Sequence, residues 1–200
     1  MANSLHLIRH QLEISTRGKG FTRLDTTINR WLAGTGVKEG VLHLTCLHTS
    51  ASLTINENAD PRVLEDLQAW MDAVVPQDGQ GPLNGDGKRR RYRHDDEGDD
   101  DMPAHIRTAL TAQTMSLSVV QGRLLLGMWQ AVYLWEHRSA PHQRQIACQL
   151  IGEQDSCLLK ATQLNREIQS RHDPEAWARD GGVDTDVDLM VDRLHDITSD

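Results

Sequence analysis

The sequence predicts an α+β fold: a small mixed-sheet domain with two to three packed helices over residues 1–153, followed by a helical acidic extension over 154–200. Three observations carry this. Short segments with apolar residues at alternate positions, as strands require, recur through the first part of the chain. The segment behind Asp60-Pro61 instead places its apolar residues at helical spacing. Past Gly152 the strand patterning stops and acidic amphipathic segments follow. A chain of 200 residues, 38% of them hydrophobic, can bury a core in one domain of roughly 150 residues without help from a metal or disulfide.

Ser4 to Thr16 is β-like but changes phase, Leu5 and Leu7 on one parity and Leu12 and Ile14 on the other, which predicts a bulge or two short strands at a sheet edge. Asp25 is placed to cap a helix from Thr26 to about Gly34, with Ile28, Trp31 and Leu32 on one face. Val41 to His48 reads as a strand in which Leu42, Leu44, Cys46 and His48 share a face, and Leu53 and Ile55 continue extended structure. Asp60-Pro61 starts a helix, because Asp accepts from free first-turn amides and Pro lacks a donor that has no partner there. Val63, Leu64, Leu67, Trp70, Met71 and Val74 follow at helical spacing until Pro76, and Gln77 to Arg91 is loop. A short helix begins near Pro103 with Ile106, Ala109 and Leu110 as its apolar face. Met115 to Val120 is a strand, Gln121-Gly122 a hairpin turn, and Arg123 to Arg138 a long strand or one bulged at Gly127. Gln145 to Ile151 is the last strand. Beyond it, Cys157 to Ile168 and Val183 to Ile197 have helical apolar spacing.

The formal net charge is −8, but the segment from Asp173 to Asp200 holds nine acidic residues against two arginines, so the body is near neutral. Without a clustered basic face, nucleic-acid binding is not expected. No run of eighteen apolar residues occurs and Met1 to Gly20 has no export signal, so no membrane span is expected and a cytoplasmic protein is. Cys46, Cys148 and Cys157 form no CxxC pair; the first two fall in apolar alternation as core residues.

Chemistry concentrates in three stretches. In the first, an apolar strand ends on His48, hydroxyls follow at Thr49, Ser50 and Ser52, and Asn56, Glu57 and Asn58 supply amide, carboxylate and amide. A turn and helix cap is the bland reading of its far end. In the second, six carboxylates lie between Asp95 and Asp101, bracketed by His94 and His105. Charge runs are commonly solvated, but imidazoles flanking carboxylates suit either a divalent-cation site or an acid and base pair. In the third, alternation sets Gln130, Glu136 and Arg138 on an apolar face, where polar groups need partners or a ligand; a Glu136–Arg138 ion pair is the structural account. Trp129 falls on the opposite face with Tyr133 and Trp135, as core or interface residues do.

With His48-Thr49-Ser50, Asn56-Glu57-Asn58, Asp60-Pro61, the Tyr92 to Ile106 stretch, GRLLLGMWQ and LWEHR in view, the chain resembles the YjbQ family of secondary thiamine-phosphate synthases from about Leu5 to Glu153. The resemblance implies a homotrimer of small α+β domains with polar pockets near subunit boundaries. It also implies an enzyme: a weak thiamine-phosphate synthase-like transferase that joins hydroxymethylpyrimidine pyrophosphate to thiazole phosphate, a small phosphorylated substrate. A divalent metal, Mg²⁺ or Zn²⁺, would assist the leaving group. On this reading His48, His105 and Glu57 are catalytic. Thr49, Ser50, Asn56, Asn58, Gln130, Glu136 and Arg138 bind substrate, with Arg138 and the Thr49 and Ser50 hydroxyls holding phosphate. His48, His94, His105 and Asp99 are the metal ligands, and Glu57 shares the carboxylate role. The family usually has Gly-Thr-Trp-Gln-Gly where this chain has Gly127 to Ala131, and often a tyrosine where Asp96 stands. Two other readings compete: a metal-dependent phosphatase or hydrolase using the His and Asp cluster, and a non-catalytic trimer that binds a small anion while the acidic tail recruits a protein partner. No GxxxxGK[ST] phosphate loop is present.

Overall fold

The computed structural model describes residues 5–154; the amphipathic segments read over 154–200, Cys157 and any partner of the acidic tail lie outside the described residues, except for Gln154 itself. In order, the elements are β1 (Leu5–Ser15), β2 (Gly20–Arg23), α1 (Asp25–Ala33), β3 (Val37–Cys46), β4 (Ala51–Glu57), α2 (Pro61–Val74), α3 (Asp101–Leu110), β5 (Thr114–Val120), β6 (Arg123–Leu124), β7 (Gln130–Glu136) and β8 (Gln143–Gln154).

The strands form two sheets, β1-β8-β3-β5-β6 and β2-β7-β4. The α+β class and its three helices are as expected, but the sheets are antiparallel at every pairing rather than mixed. The connections explain why. Parallel neighbours need a crossover that returns to the same sheet, whereas α1 carries the chain from β2 in one sheet to β3 in the other, and α2 with α3 carry it from β4 to β5.

One core lies between the sheets. Leu42, Leu44, Ile146 and Leu150 come from the larger sheet and Leu53, Val132 and Leu134 from the smaller, joined by Ile28 and Leu32 of α1. A second cluster, Met71 and Val75 with Trp135, Phe21, Leu67 and Ile106, covers the other side of the three-stranded sheet with α2 and α3. β7 is therefore buried on both faces from Ala131 to Glu136, and single-faced alternation does not describe it. Each fully buried side chain of this kind contributes about 1.5–3 kcal/mol.

Several local expectations are corrected. β1 pairs with β8 without a break from Leu5↔Glu153 to Ser15↔Gln143, so the phase change is not a bulge: Leu12 faces the core while Leu5 and Leu7 face outward. It is an edge strand, as expected. Asp25 is the first residue of α1 rather than its cap, and its carboxylate takes two hydrogen bonds from Arg23, at 2.8 and 3.0 Å. Asp60 does cap α2, accepting from the Arg62 amide at 3.0 Å. The Gln121-Gly122 turn holds, both residues at positive φ (53° and 73°), the mirror-image turn that suits hairpins. The long strand from Arg123 to Arg138 does not exist; residues 125–129 leave the larger sheet and β7 enters the smaller one. Trp129, at 61% exposure, is not a core residue. In α3 the buried positions are Asp101, Pro103, Ala104, Arg107 and Thr108, while Ala109 and Leu110 face solvent.

Candidate metal centre

α3 starts at Asp101 rather than near Pro103. A proline at the third helical position is tolerated because first-turn amides have no intrahelical acceptor. The earlier start places Asp101 and His105 four residues apart on one helical face. His94, on the preceding loop, closes on the same point: its Nε2 lies 2.7 Å from Asp101 Oδ2, and His105 Nε2 lies 3.4 Å from that oxygen. The three donor atoms fall within 4.8 Å of one another, as the ligands of one ion do when metal–nitrogen and metal–oxygen bonds are about 2.0–2.2 Å.

The surroundings fix each donor. His105 Nδ1 donates to the Thr49 carbonyl at 2.9 Å, which leaves Nε2 as a lone pair facing the cluster. Asp101 is buried, and Arg138 Nη1 hydrogen-bonds to its Oδ1. Oδ2 has no protein hydrogen-bond partner, although His94 Nε2 approaches it closely. The acidic loop is fastened by the same arginine: Arg138 also reaches the Glu97 carbonyl at 2.7 Å and Asp100 at 3.3 Å. Burial alone would raise the Asp100 carboxyl, but the Ser139 amide and Arg138 outweigh it and hold it below the usual carboxylate range.

Of the four expected metal ligands, then, His94 and His105 converge. Asp99 is exposed beside Asp95, and its place in the cluster is taken by Asp101. His48 is outside the cluster as well; its Nε2 accepts the Gln145 amide at 2.7 Å, and burial followed by the Arg144 charge lowers its basicity. The signal for Asp101 was its i, i+4 relation to His105, hidden by the assumption that Pro103 opens the helix.

The expected phosphate cradle does not form. Arg138 is committed to the acidic loop, Ser50 Oγ accepts from Arg144 Nη2 at 3.1 Å, and Thr49 contributes its carbonyl to His105. The Glu136 carboxylate, expected to bind substrate, is taken up by protein groups, and it is not the partner of the Arg138 side chain. It is fully buried, with Arg144 at 2.6 and 2.7 Å, the Thr16 hydroxyl at 2.9 Å and the Arg138 amide at 3.0 Å. Burial would raise its pKa, but the Arg144 hydrogen bonds win and lower it.

The remaining expected residues gather elsewhere. Asn56, Glu57 and Gln130 line an open cleft of about 510 Å³ with Ile55, Ala59 and Trp129. Asn58 is tied to the neighbouring backbone: its side-chain amide donates to the Met128 and Gln130 carbonyls at 3.3 and 3.0 Å. Thr49 lies just before β4 and Glu57 at its end, so seven extended residues, about 20 Å, separate this cleft from the histidines. What the sequence suggested as one site is two places at opposite ends of a strand.

A family model described as "UPF0047 protein YjbQ-like" matches residues 10–153. The chain belongs to this family. A YjbQ-like relative, a UPF0047 protein of Synechocystis, is 48% identical over 147 residues, covering 72% of this chain and 93% of its own. The UPF0047 protein YjbQ of Salmonella typhimurium is 41% identical over 143 residues, covering 71% and 96%. Among solved structures, a conserved hypothetical protein of Thermus thermophilus superposes with a TM-score of 0.57 at 31% identity, covering 70% of this chain and 97% of that one. A YbjQ-like protein of unknown function from Sulfolobus solfataricus gives a TM-score of 0.64 over 75% and 100% of the two chains, and at 18% identity bears on the fold alone. Membership in the YjbQ-like UPF0047 family is as expected from the motifs. The expected thiamine-phosphate synthase activity is overturned: the family is one of uncharacterised function, its relatives bear names that state no reaction, and nothing supports that transfer. Among the described residues no helix is long and apolar enough to cross a membrane.

Proposed function

We propose that this chain is a divalent-metal-binding protein whose ion is held by Nε2 of His94, Oδ2 of Asp101 and Nε2 of His105. The observation that carries this is Asp101 Oδ2, a buried carboxylate oxygen without a protein hydrogen bond, facing two imidazole nitrogens. A buried anionic oxygen in that state is costly unless a cation meets it. Two imidazoles and one carboxylate suit Zn²⁺ better than Mg²⁺, which prefers oxygen ligands and retains its water. Three protein ligands leave a position for water or a small anionic ligand, and such an ion acts as a Lewis acid on whatever binds there. Arg138 anchors Asp101, and the Thr49 carbonyl sets the His105 tautomer.

The test is equilibrium dialysis against Zn²⁺ with elemental analysis. One ion per chain, removable by chelator and lost in His94→Ala and His105→Ala, is the expected outcome. A folded wild-type chain with no stoichiometric ion overturns the reading. Replacing Thr49 leaves the carbonyl contact intact and should change affinity little.

A homotrimer is the assembly we infer, on separate support. The outward face of the larger sheet carries Leu7, Ile151 and Val41 side by side in register, with Leu5 beside them, all about half or more exposed. An apolar row across a sheet face is a surface that association removes from water.

A further inference from the structure

The layer under α2 and α3 holds a second group of polar side chains that the metal centre does not use. Arg107 is 1% exposed, and its guanidinium sits against α2: Nη2 donates to the Val75 carbonyl at 2.7 Å and lies 2.8 Å from Asp72 Oδ1. Its Nε and Nη1 have no protein acceptor. His137 is fully buried, its ring packed near Trp135 with centroids 5.2 Å apart and its Nε2 2.9 Å from Ser52 Oγ. Its Nδ1 also lacks a partner, as does the hydroxyl of buried Thr108, next to Arg107 on α3.

The positions agree with the topology. Ser52 pairs with Trp135 across β4 and β7, and His137 shares the Trp135 parity, so all three face the layer of α2 and α3, of which α3 carries Arg107. With the Ser52 hydroxyl donating into Nε2, the neutral ring presents Nδ1–H. Arg107 then presents Nε–H and Nη1–H, and Thr108 a hydroxyl. These are buried donors, and among the described groups none supplies an acceptor to them.

Charge decides what kind of acceptor is missing. Asp72 serves two cations: Lys19 Nζ lies 3.3 Å and Arg107 Nη2 2.8 Å from the same Oδ1. Asp100 acts on Arg107 from farther away and Glu136 is paired with Arg144. Among the described residues, the one carboxylate in direct contact with the buried guanidinium is thus the half-exposed Asp72 that it shares with Lys19, and part of the guanidinium's positive charge is left uncompensated beside the buried donors. Burial, and then the Arg107 charge, push His137 down to about 3, so the ring adds no charge of its own at neutral pH. A neutral water satisfies donors but leaves the excess charge, whereas a monovalent anion answers both. We propose that Arg107 and His137, with Thr108 as the adjacent donor, form an internal binding site for one small monovalent anion of halide size between α2, α3 and the three-stranded sheet. The site is structural, holding the helix that bears Asp101 and His105 against the sheet.

The experiment uses bromide as the probe on the full chain. Crystals grown in bromide, with data collected at its absorption edge, should show an anomalous peak within hydrogen-bonding distance of Arg107 Nε or Nη1 and of His137 Nδ1. In solution, chloride or bromide should raise Tm saturably, on the order of a few degrees, over methanesulfonate at equal ionic strength. His137→Phe should remove that increment, and Arg107→Met, if it folds, should as well. Density without an anomalous signal means a water only and overturns the proposal. So does a Tm increment that persists undiminished in folded His137→Phe.

Discussion

Glu136 illustrates how much a single buried residue can hold. Its carboxylate joins Arg144 of β8 to Thr16 and to the Arg138 amide, and so ties the smaller sheet to the larger at one end. Removing one partner of a buried pair strands the other charge, so Glu136→Gln should lower unfolding free energy by about 3–5 kcal/mol in urea titration. The double change Glu136→Met with Arg144→Met should recover much of that loss, because no buried charge remains. His137 makes a pH prediction. Its folded pKa, about 3, lies below its ordinary 6.5, so between those values the unfolded chain binds the extra proton. Stability therefore falls as pH drops from 6.5 toward 3, by up to about 1.4 kcal/mol per pH unit from this group. Denaturant titrations at several pH values check it, and His137→Phe should flatten that slope; an unchanged slope would mean that other groups set it.

Among the elements, the β3–β8 pairing shows how closely backbones approach. Gly40 and Gly152 are direct partners, and a Cβ on Gly152 would sit 2.4 Å from the Glu39 carbonyl and 2.5 Å from Val37 Cγ1. Gly152→Ala should therefore shift the strand end and cost about 1–3 kcal/mol in a thermal or urea melt, well beyond the effect of a methyl on an exposed strand. At the helices, α3 was legible only in part. Its Asp101 to Thr108 burial follows contacts with Val75, Asp72 and the smaller sheet, and a local apolar count selects Ala109 and Leu110 instead, which face solvent. The same holds for β7, whose double burial depends on having a sheet on one side and two helices on the other.

Across the whole molecule, the outward face of the five-stranded sheet ties to the inferred assembly. For a chain of 22.5 kDa, light scattering on the eluted protein should give about three times that mass, by the inferred closed symmetry. Val41→Asp, which places a charge in the middle of the apolar row, should shift the mass toward the monomer without changing the circular dichroism of the fold. A monomer in the wild type would show the row to be exposed in solution.

The sequence alone determined the class of the domain, α2 with its Asp60 cap, the edge position of β1, the hairpin at Gln121-Gly122, the buried thiols of Cys46 and Cys148, and the family, because each rests on local spacing or on residues in a fixed order. Tertiary structure decided which polar residues meet. Arg138 finds Asp101 thirty-seven positions away and Arg144 finds Ser50 ninety-four away, and no period in the chain encodes such distances. For the same reason one suspected site became two, a cluster of His94, Asp101 and His105 at one end of β4 and a cleft beside Glu57 and Trp129 at the other. Sequence order brings His48 and Glu57 close, whereas an extended strand sets its two ends as far apart as its length allows.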